Sequence, residues 1–244
     1  MCVFDLKNDS RAMDQIFCTL PAREETFRNW QHTRHADAVI PDEVPAAAGV
    51  LPFTVHNGSV HLLLGREAHR PGFRSGGLYA DFGGGLMGKA KSSIECAAQE
   101  LQEETFKSLM DVPLEDLVQY IRQNVWLVVR SHYGKKVPYH LYCVRFPYFD
   151  VESIFNERLC TAKSPVQDSY TKLRAKVPEA FQLNGRIRKS YLEKTEIKWF
   201  TLKSVQRLPM RDEFSRTLTA FKVLERISAS LEQNDRQIRQ PPGF

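Results

Sequence analysis

The chain has 244 residues, enough for one large domain or two small ones, and its composition (42% hydrophobic, 26% charged) is ordinary for a globular protein. Its net charge of +5 fits a nucleotide or RNA ligand without requiring one. Five widely spaced cysteines, with no CxxC pair, argue against a disulfide framework or a zinc site. The sequence has no apolar run of about 20 residues, so we expect no membrane-spanning helix.

The first 45 residues show no clean periodicity and lead into "PDEVPAAAG", whose prolines are typical of a linker. We interpret residues 1–45 as an N-terminal extension that precedes a domain of residues 46–231. The extension carries several Asp and Glu residues, whereas organellar import signals are poor in acids. With the cysteine pattern, this predicts a cytoplasmic or nuclear protein and leaves an organellar location open.

Two strands are predicted over residues 47–64 on either side of "HNGS", because Asn-Gly is the strongest short hairpin signal. A loop rich in Arg and Gly follows at 66–79, and a glycine turn then feeds a helix. Residues 113–124 have the apolar spacing of a second helix. Alternating apolar residues around "YGKK" predict another hairpin over 125–148.

The chain from about 150 to 192 is polar and basic, and we interpret it as an insertion. Its basic runs favour RNA slightly, although such runs are usually solvated faces. A strand at 195–205, an amphipathic helix at 211–231 and a disordered tail at 232–244 complete the chain. The apolar face of that helix is expected to carry Phe214, Leu218, Phe221, Leu224 and Ile227. Strands and helices interleave, so the fold class is α/β or α+β in layers.

The most informative stretch is "ADFGGGLMGKAKSSIECAAQELQEETFKSL", residues 80–109. At about 100° per residue, Glu100, Glu103 and Glu104 share one face of its helix. We expect this anionic face to point outward and the opposite, apolar face to pack on a sheet. An ordinary solvated acidic face would explain the carboxylates alone. The preceding glycine turn favours a sharper hypothesis, in which the carboxylates hold a divalent ion and act on a phosphate ester or anhydride.

The stretch that begins at Gly85 resembles the Nudix box, whose pattern is G-x5-E-x7-R-E-U-x-E-E-x-G-U with U an aliphatic residue. Gly85 stands at the first glycine, Glu100 at the glutamate of the R-E pair, and Glu103 and Glu104 at the E-E pair. The order of the predicted elements around the box is also similar. The resemblance implies an α/β fold, namely a Nudix-like α/β/α sandwich with a mixed sheet.

In the Nudix family these glutamates are metal ligands, so the resemblance implies that Glu100, Glu103 and Glu104 bind Mg²⁺ or Mn²⁺. It also implies a pyrophosphohydrolase that cleaves a nucleoside diphosphate linked to another group, in a nucleotide-type small molecule or an RNA 5′ end. Glu103 and Glu104 are then catalytic as well. Glu196 is our candidate for a further catalytic carboxylate, with Glu193 second, although an exposed strand-end glutamate is an equal explanation.

Substrate phosphates need amide groups or cations as partners. Gly84 and Gly85 of the glycine turn are expected to let the substrate approach the backbone closely. Arg66 and Arg74, on the loop before the box, are our candidates for neutralising phosphates. A solvated loop explains both arginines equally well.

The sequence departs from the box where Lys91 replaces its first glutamate, Gln99 its arginine and Phe106 its second glycine. The first two losses remove both members of an interaction that helps to brace the loop and helix. We expect the helix to continue past Phe106 toward Leu109. These departures keep a second hypothesis open, an inactive Nudix-like module that binds RNA or a protein partner in a larger assembly. Self-association also stays open.

Overall fold

The computed structural model describes residues 46–70, 72, 74–85, 90, 92–133, 137–163, 182–183, 186–187 and 192–229. The predicted N-terminal extension, the C-terminal tail, Lys91 and most of the basic insertion lie outside the described residues. No described helix combines the length and the apolar character needed to cross a membrane.

The first hairpin consists of β1 (Ala47–His56) and β2 (Ser59–Glu67). Asn57 and Gly58 form its two-residue turn, with φ angles of 50° and 71°. Two consecutive positive φ angles match the twist of the flanking strands, which is why Asn-Gly is favoured in such turns. The predicted hairpin is confirmed.

The two strands of this hairpin separate away from the turn. β1 and β2 pair only from Phe53↔Leu62 to His56↔Ser59. Farther along, β3 (Tyr79–Ala80) pairs with β2, and β4 (Phe82–Gly85) pairs with β1. Residues 79–85 therefore fill the gap between the separating strands, and we call this segment the wedge. Asp81 lies at its centre, between the two short strands.

The remaining strands of the sheet flank this hairpin. β5 (Val125–Tyr133) and β6 (Val137–Arg145) form the predicted second hairpin, and β6 runs parallel to β1. β9 (Lys194–Thr201) pairs antiparallel with β2. Seven strands thus form one mixed sheet, while β7 (Gln182–Leu183) and β8 (Arg186–Ile187) form a separate two-stranded pair.

Helices cover both faces of the sheet, which confirms the predicted α/β/α sandwich with a mixed sheet. α1 (Ser93–Glu104) packs on β1, β4 and α2 (Leu114–Asn124), and α3 (Val151–Lys163) packs on β9. On the other face, α5 (Asp212–Ala220) and a helix at 223–229 contribute to the main apolar core. The short α4 (Leu202–Val205) follows β9.

Three predicted boundaries differ from the structure. α3 has Val151, Phe155 and Leu159 buried, so the start of the predicted insertion belongs to the packed domain. The predicted strand at 195–205 ends at Thr201, whose hydroxyl caps α4 by accepting from the Ser204 amide at 3.2 Å. The predicted helix at 211–231 is wrong at its middle.

That last helix breaks after Ala220. Lys222 has a φ of 47°, which no α-helix contains, and a new helix begins at residue 223. The break changes the rotational phase of the residues around it. Phe221, predicted to be buried, is therefore 37% exposed, while Phe214, Leu218 and Ile227 lie in the core as predicted.

Candidate functional site

α1 begins at a serine cap. The hydroxyl of Ser92 accepts a hydrogen bond from the amide of Glu95 at 3.2 Å, which satisfies one of the amides left free at a helix start. Ile94 and Leu101 are buried against neighbouring elements. The cap fixes where the helix starts, and the buried residues fix its rotation; together they place the three glutamates.

α1 ends at Glu104, and the prediction that it continues toward Leu109 is wrong. The amide of Phe106 donates to the carbonyl of Glu103 at 3.2 Å, and the amide of Lys107 donates to the carbonyl of Gln102 at 2.9 Å. These two bonds are those of a Schellman motif, and Phe106 occupies its left-handed position with a φ of 52°. Phenylalanine therefore adopts the conformation that the glycine of the box would supply.

Two contacts hold Phe106 in this costly conformation. Its ring is buried and packs edge-on against Phe155, with 5.8 Å between centroids. Its carbonyl accepts a hydrogen bond from the Arg158 guanidinium at 2.6 Å. Burial of a phenylalanine ring contributes about 2 kcal/mol, which offsets the roughly 1–2 kcal/mol that a left-handed residue costs. The third departure from the box thus preserves the local turn.

The expected outward orientation of the carboxylate face is wrong. Glu103 is 8% exposed and Glu104 is 2% exposed, while Glu100 is partly exposed. A solvated acidic face is therefore excluded as an explanation. Buried carboxylates need hydrogen bonds or cations as partners, and each of the three glutamates has a different set.

Glu100 lies against the glycine turn. A Cβ atom on Gly84 would stand 2.6 Å from the Glu100 carboxyl, so a larger residue there would displace the carboxyl from this position. Burial, together with the charges of Glu103 and Glu193, raises the pKa of Glu100 to about 7, although Lys194 opposes the shift. Glu100 also lines a small cleft with Gly85, Ala90, Cys96 and Gln99. This carboxyl is the one that faces the cleft.

Glu103 has a neutral partner. The side-chain amide of Gln99 donates to its Oε1 atom at 3.0 Å. Gln99 stands where the box has arginine, so the bond holds the carboxylate without neutralising its charge. The charge of Glu103 acts on the neighbouring carboxyl of Glu100 and raises its pKa.

Glu104 is held by a buried cation and by the wedge. Its Oε1 atom lies 3.3 Å from the Nζ atom of Lys194, and its Oε2 atom accepts from the amide of Gly83 at 2.9 Å. Lys194 is 1% exposed. Burial lowers the pKa of Lys194, but the Glu104 and Glu67 carboxylates outweigh burial and leave it above its ordinary value. The lysine therefore keeps its proton, and burial also raises the pKa of Glu104 well above its ordinary value, although Lys194 opposes that shift.

Lys194 belongs to a larger group of buried charges, which we call the buried charge cluster: Glu67, Asp81, Glu104, Lys194 and Arg211. Arg211 lies 3.5 Å from Glu67 and 3.8 Å from the Asp81 carboxyl. The Tyr139 hydroxyl donates to Asp81 and occupies the space that side chains on Gly49 or Gly83 would need. The cluster therefore fills the gap where β1 and β2 separate.

The sequence-predicted Glu196 and Arg66 lie elsewhere. The Tyr79 hydroxyl donates to Glu196 at 3.1 Å, and Arg66 lies 3.9 Å from the same carboxylate oxygen. Arg66 and Glu67 are consecutive in β2 and point to opposite faces of the sheet. Because Glu67 contacts Lys194, Glu196 and Arg66 lie on the face opposite the buried charge cluster.

Glu193, the second candidate, lies on the side of the carboxylate helix. Its charge raises the pKa of both Glu100 and Glu104, and its carboxylate pairs with Arg70 at 3.1 Å. Of the other candidates, Arg74 is exposed, and Gly85 is exposed at the cleft. The structure thus brings Glu193, Gly84 and Gly85 together with the α1 carboxylates, but not Glu196 and Arg66.

Sequence reasoning missed a serine–histidine pair. The Ser93 hydroxyl lies 3.0 Å from Nδ1 of His140 and accepts a hydrogen bond from Tyr142 at 2.8 Å. Nothing in the spacing of the sequence connects these residues, because they meet only when α1 packs on β6. Ser93 and His140 are both buried, so the pair stabilises this contact and is closed to substrate.

Within the described part of the chain, no three His, Cys, Asp or Glu side chains converge in a geometry that would hold a metal ion. Glu100 and Glu103 are two neighbouring carboxyl groups that fit a hard divalent ion in donor type and charge. Glu104 has both oxygens engaged by Lys194 and Gly83. The predicted set of three carboxylates is therefore divided into a pair and a single member.

Comparisons with known proteins give fold similarity only. No protein-family model matches the chain, and no curated protein matches it. Among solved structures, the Nudix hydrolase RenU from M. smegmatis is 16% identical with a TM-score of 0.43, covering 76% of this chain and 87% of its own. The Nudix domain of Shewanella oneidensis NrtR, solved with ADP ribose, is 14% identical with a TM-score of 0.42, covering 86% and 99%.

A C. elegans Ap4A hydrolase is also 14% identical, with a TM-score of 0.41 and coverage of 78% of this chain and 99% of its own. All three TM-scores lie below 0.5. Any functional proposal for the chain therefore has to rest on the residues of its site.

Proposed function

We propose that this protein is a divalent-cation-dependent hydrolase of the Nudix type, which cleaves a diphosphate bond in a nucleotide compound. The observation that carries this proposal is the local geometry of Glu100 and Glu103. One carboxyl fits into the space left by Gly84 beside an open cleft, and the other is held 3.0 Å from Gln99. Two neighbouring, partly buried carboxyl groups repel each other, and a bound cation would relieve that repulsion.

Two of the substituted positions of the box, Gln99 and Phe106, are compatible with this function. Gln99 still orients Glu103, and Phe106 still forms the left-handed turn that ends the helix. Glycine in the turn before the helix still leaves room for Glu100. The residues that position the carboxylates have therefore changed in type, while their positioning contacts persist.

Each residue has a proposed role. Glu100 and Glu103 would hold Mg²⁺ or Mn²⁺, which would polarise phosphate oxygens and acidify water when bound. Glu193 is proposed to accept a proton from the attacking water, because it is the further carboxylate whose charge reaches Glu100. Gly85 lines the cleft and allows a phosphate to approach the backbone. Arg70 and Arg74 are the proposed partners of the phosphates.

The substrate is proposed to be a nucleotide-type small molecule or an RNA 5′ end. The net charge of +5 favours an anionic substrate of either kind. The basic runs that favour RNA slightly lie largely in the insertion, outside the described residues. The carboxylate pair recognises a diphosphate and not the group attached to it.

A second function is supported by one observation. Glu104, one of the three predicted ligands, is engaged by Lys194 and the Gly83 amide, which favours a non-catalytic module that binds RNA or a protein partner. One assay separates the two functions. Purified protein is incubated with Mg²⁺ or Mn²⁺ and a panel of free nucleotides, nucleotide sugars, dinucleotides, coenzyme A, and capped and triphosphorylated RNA.

Glu103→Gln is the matched variant in this assay, because glutamine preserves shape and removes charge. We expect turnover of at least one panel member by the native protein and a loss of about 10²-fold or more in the variant. Equal rates of product release by both proteins would overturn the proposed site. If the native protein hydrolyses no member of the panel, the binding module is favoured.

A further inference from the structure

Lys194 is an unusual residue for the interior of a domain, because lysine is almost never fully buried without partners. Its ammonium lies 2.8 Å from Glu67, 3.3 Å from Glu104 and 3.2 Å from the backbone carbonyl of Asp81. An ammonium group has three donor protons, and here three acceptors surround it. The cation therefore has two hydrogen bonds, to Glu67 and to Asp81, and a further ion pair with Glu104 inside the protein.

The sequence around Lys194 builds this position. Lys194 pairs with Glu67 across β2 and β9, next to a register shift at Arg66 and Glu67. Gly65 leaves the room for the lysine stem, since a Cβ atom there would lie 2.8 Å from its Cδ atom. The aliphatic part of the Lys194 side chain thus crosses β2 toward the wedge. Its ammonium group lies beside Glu104, the last residue of α1.

As a consequence, both carboxylate oxygens of Glu104 are already engaged, and the carboxyl group cannot rotate toward the cleft without losing these contacts. Lys194 holds Oε1, the Gly83 amide holds Oε2, and the side chain is almost completely buried. To coordinate an ion, Glu104 would have to break these contacts and leave Lys194 beside the new cation. Two like charges at close range in a buried site are strongly unfavourable.

We propose that Lys194 is a positioning residue that serves as a built-in counter-cation for Glu104, and that a divalent ion is bound by Glu100 and Glu103 without Glu104. This inference rests on the proposed function, because it assumes that α1 binds an ion at all. It assigns the two adjacent glutamates different tasks. Glu103 binds the ion, and Glu104 joins α1 to the wedge and to β9.

The test compares Mn²⁺ affinity in Glu103→Gln and Glu104→Gln, measured on the full chain by electron paramagnetic resonance with Mn²⁺ alone. We expect the first variant to lose at least about tenfold in affinity and the second less than about twofold. Glutamine at 104 can still accept from the Gly83 amide, and Lys194 keeps its hydrogen bond to Glu67, so only the ion pair with Lys194 is lost. Equal losses would overturn the inference while leaving a metal site intact.

Lys194→Met is the complementary variant, with a side chain of similar length and no charge. Glu104 and Glu67 then lose their cation, so we expect Mn²⁺ to bind about tenfold more tightly, or a second ion to bind. Adding Glu104→Gln should remove that gain. A folded Lys194→Met protein with native Mn²⁺ affinity and stoichiometry would overturn the inference. If Lys194→Met does not fold, the comparison of Glu103→Gln with Glu104→Gln still tests whether Glu104 is a ligand.

Failure of the proposed function gives a different result. If the native protein binds no Mn²⁺ at up to about 10 mM, the metal site itself is absent and both proposals fall. If the native protein binds Mn²⁺ and both glutamine variants weaken binding equally, only the role of Lys194 falls. The affinity measurement does not depend on knowing the substrate.

Discussion

The two ends of one acidic cluster differ in how their charges are compensated. Glu104 lies in the buried charge cluster, where Lys194 and Arg211 balance most of the negative charge. Glu100 lines the cleft, and its neighbour Glu103 accepts a hydrogen bond from the neutral side-chain amide of Gln99. A buried carboxylate with a cation beside it stabilises the fold, whereas the described contacts of Glu100 and Glu103 leave this pair available to a ligand. Adjacent glutamates in one motif can therefore have opposite roles.

The largest effect is expected from removing the cation on the compensated side. Lys194→Met leaves Glu67 and Glu104 buried without their ammonium, so we expect a loss of about 3–5 kcal/mol in the free energy of unfolding. Lys198→Met is the control on the same strand, since Lys198 is exposed and pairs with Glu152 at 3.5 Å. Chemical denaturation should show a change of about 0.5 kcal/mol or less there. Similar losses for both lysines would contradict the comparison.

The candidate base gives the next largest effect. Glu193→Gln should lower the hydrolysis rate by about 10²-fold, because a general base contributes at least that much. Glu196→Gln should leave the rate within about twofold, since Glu196 contacts Tyr79 and Arg66 on the other face. The measurement is the rate on the best substrate of the panel. The reverse order of effects would restore the original assignment of Glu196.

The glycine turn offers a matched pair on the cleft side. Gly84→Ala would push the Glu100 carboxyl away, and we expect about a tenfold loss in Mn²⁺ affinity. In Gly85→Ala the nearest atom to the new Cβ is the Ala46 carbonyl oxygen at 3.9 Å, so affinity should hardly change. Both variants should keep the native circular dichroism spectrum. Indistinguishable affinities would mean that Glu100 is not a ligand.

The pH dependence of stability tests the uncompensated charge of Glu100. Its pKa is about 7 in the folded protein against an ordinary value of 4.5. Between these values the unfolded chain ionises while the folded protein keeps its proton, so this group makes stability fall as pH rises through that window. Glu100→Gln should reduce the fall and raise the free energy of unfolding at pH 8 by about 1–2 kcal/mol without divalent ions, while Glu104, whose pKa is also raised, keeps part of the fall. A stability profile parallel to that of the native protein would contradict this.

The smallest effect concerns the turn that ends α1. Lys107 has a φ of 55°, which favours glycine. Substitution by glycine or alanine removes the same 3.9 Å pair with Asp111, so the two variants differ mainly in backbone strain. We expect Lys107→Gly to be more stable than Lys107→Ala by about 0.5 kcal/mol in thermal unfolding. If alanine is the more stable, the left-handed turn is not present in solution.

Local patterns in the sequence predicted much of the fold. The Asn-Gly turn, the apolar alternation of β5 and β6 and the grouping of the three glutamates depend on neighbouring residues only, and the structure has all three. The helix break at Lys222 and the left-handed Phe106 were not predicted, because both residues adopt a backbone conformation that their type disfavours; at Phe106, packing against Phe155 stabilises it.

The buried charge cluster could not be predicted for a different reason. It brings together residues as distant as Glu67 and Arg211, through the register of β2 and β9 and the separation of β1 from β2. "KTEIKWF" alternates as an ordinary strand, and nothing in it distinguishes the buried Lys194 from the exposed Lys198. Gly65, on the neighbouring strand β2, leaves the space that the Lys194 side chain occupies. Which residues of β2 lie beside β9 depends on long-range strand pairing.

The most direct test is thermal unfolding during titration with Mg²⁺ and Mn²⁺, for the native protein and the Glu100→Gln, Glu103→Gln double variant. An ion that binds only the folded state must raise the Tm. Our account predicts a rise of several degrees for the native protein at about 10 mM ion and a flat response for the double variant. A flat response from the native protein, or an equal rise in both, would contradict a cation site at these two carboxylates.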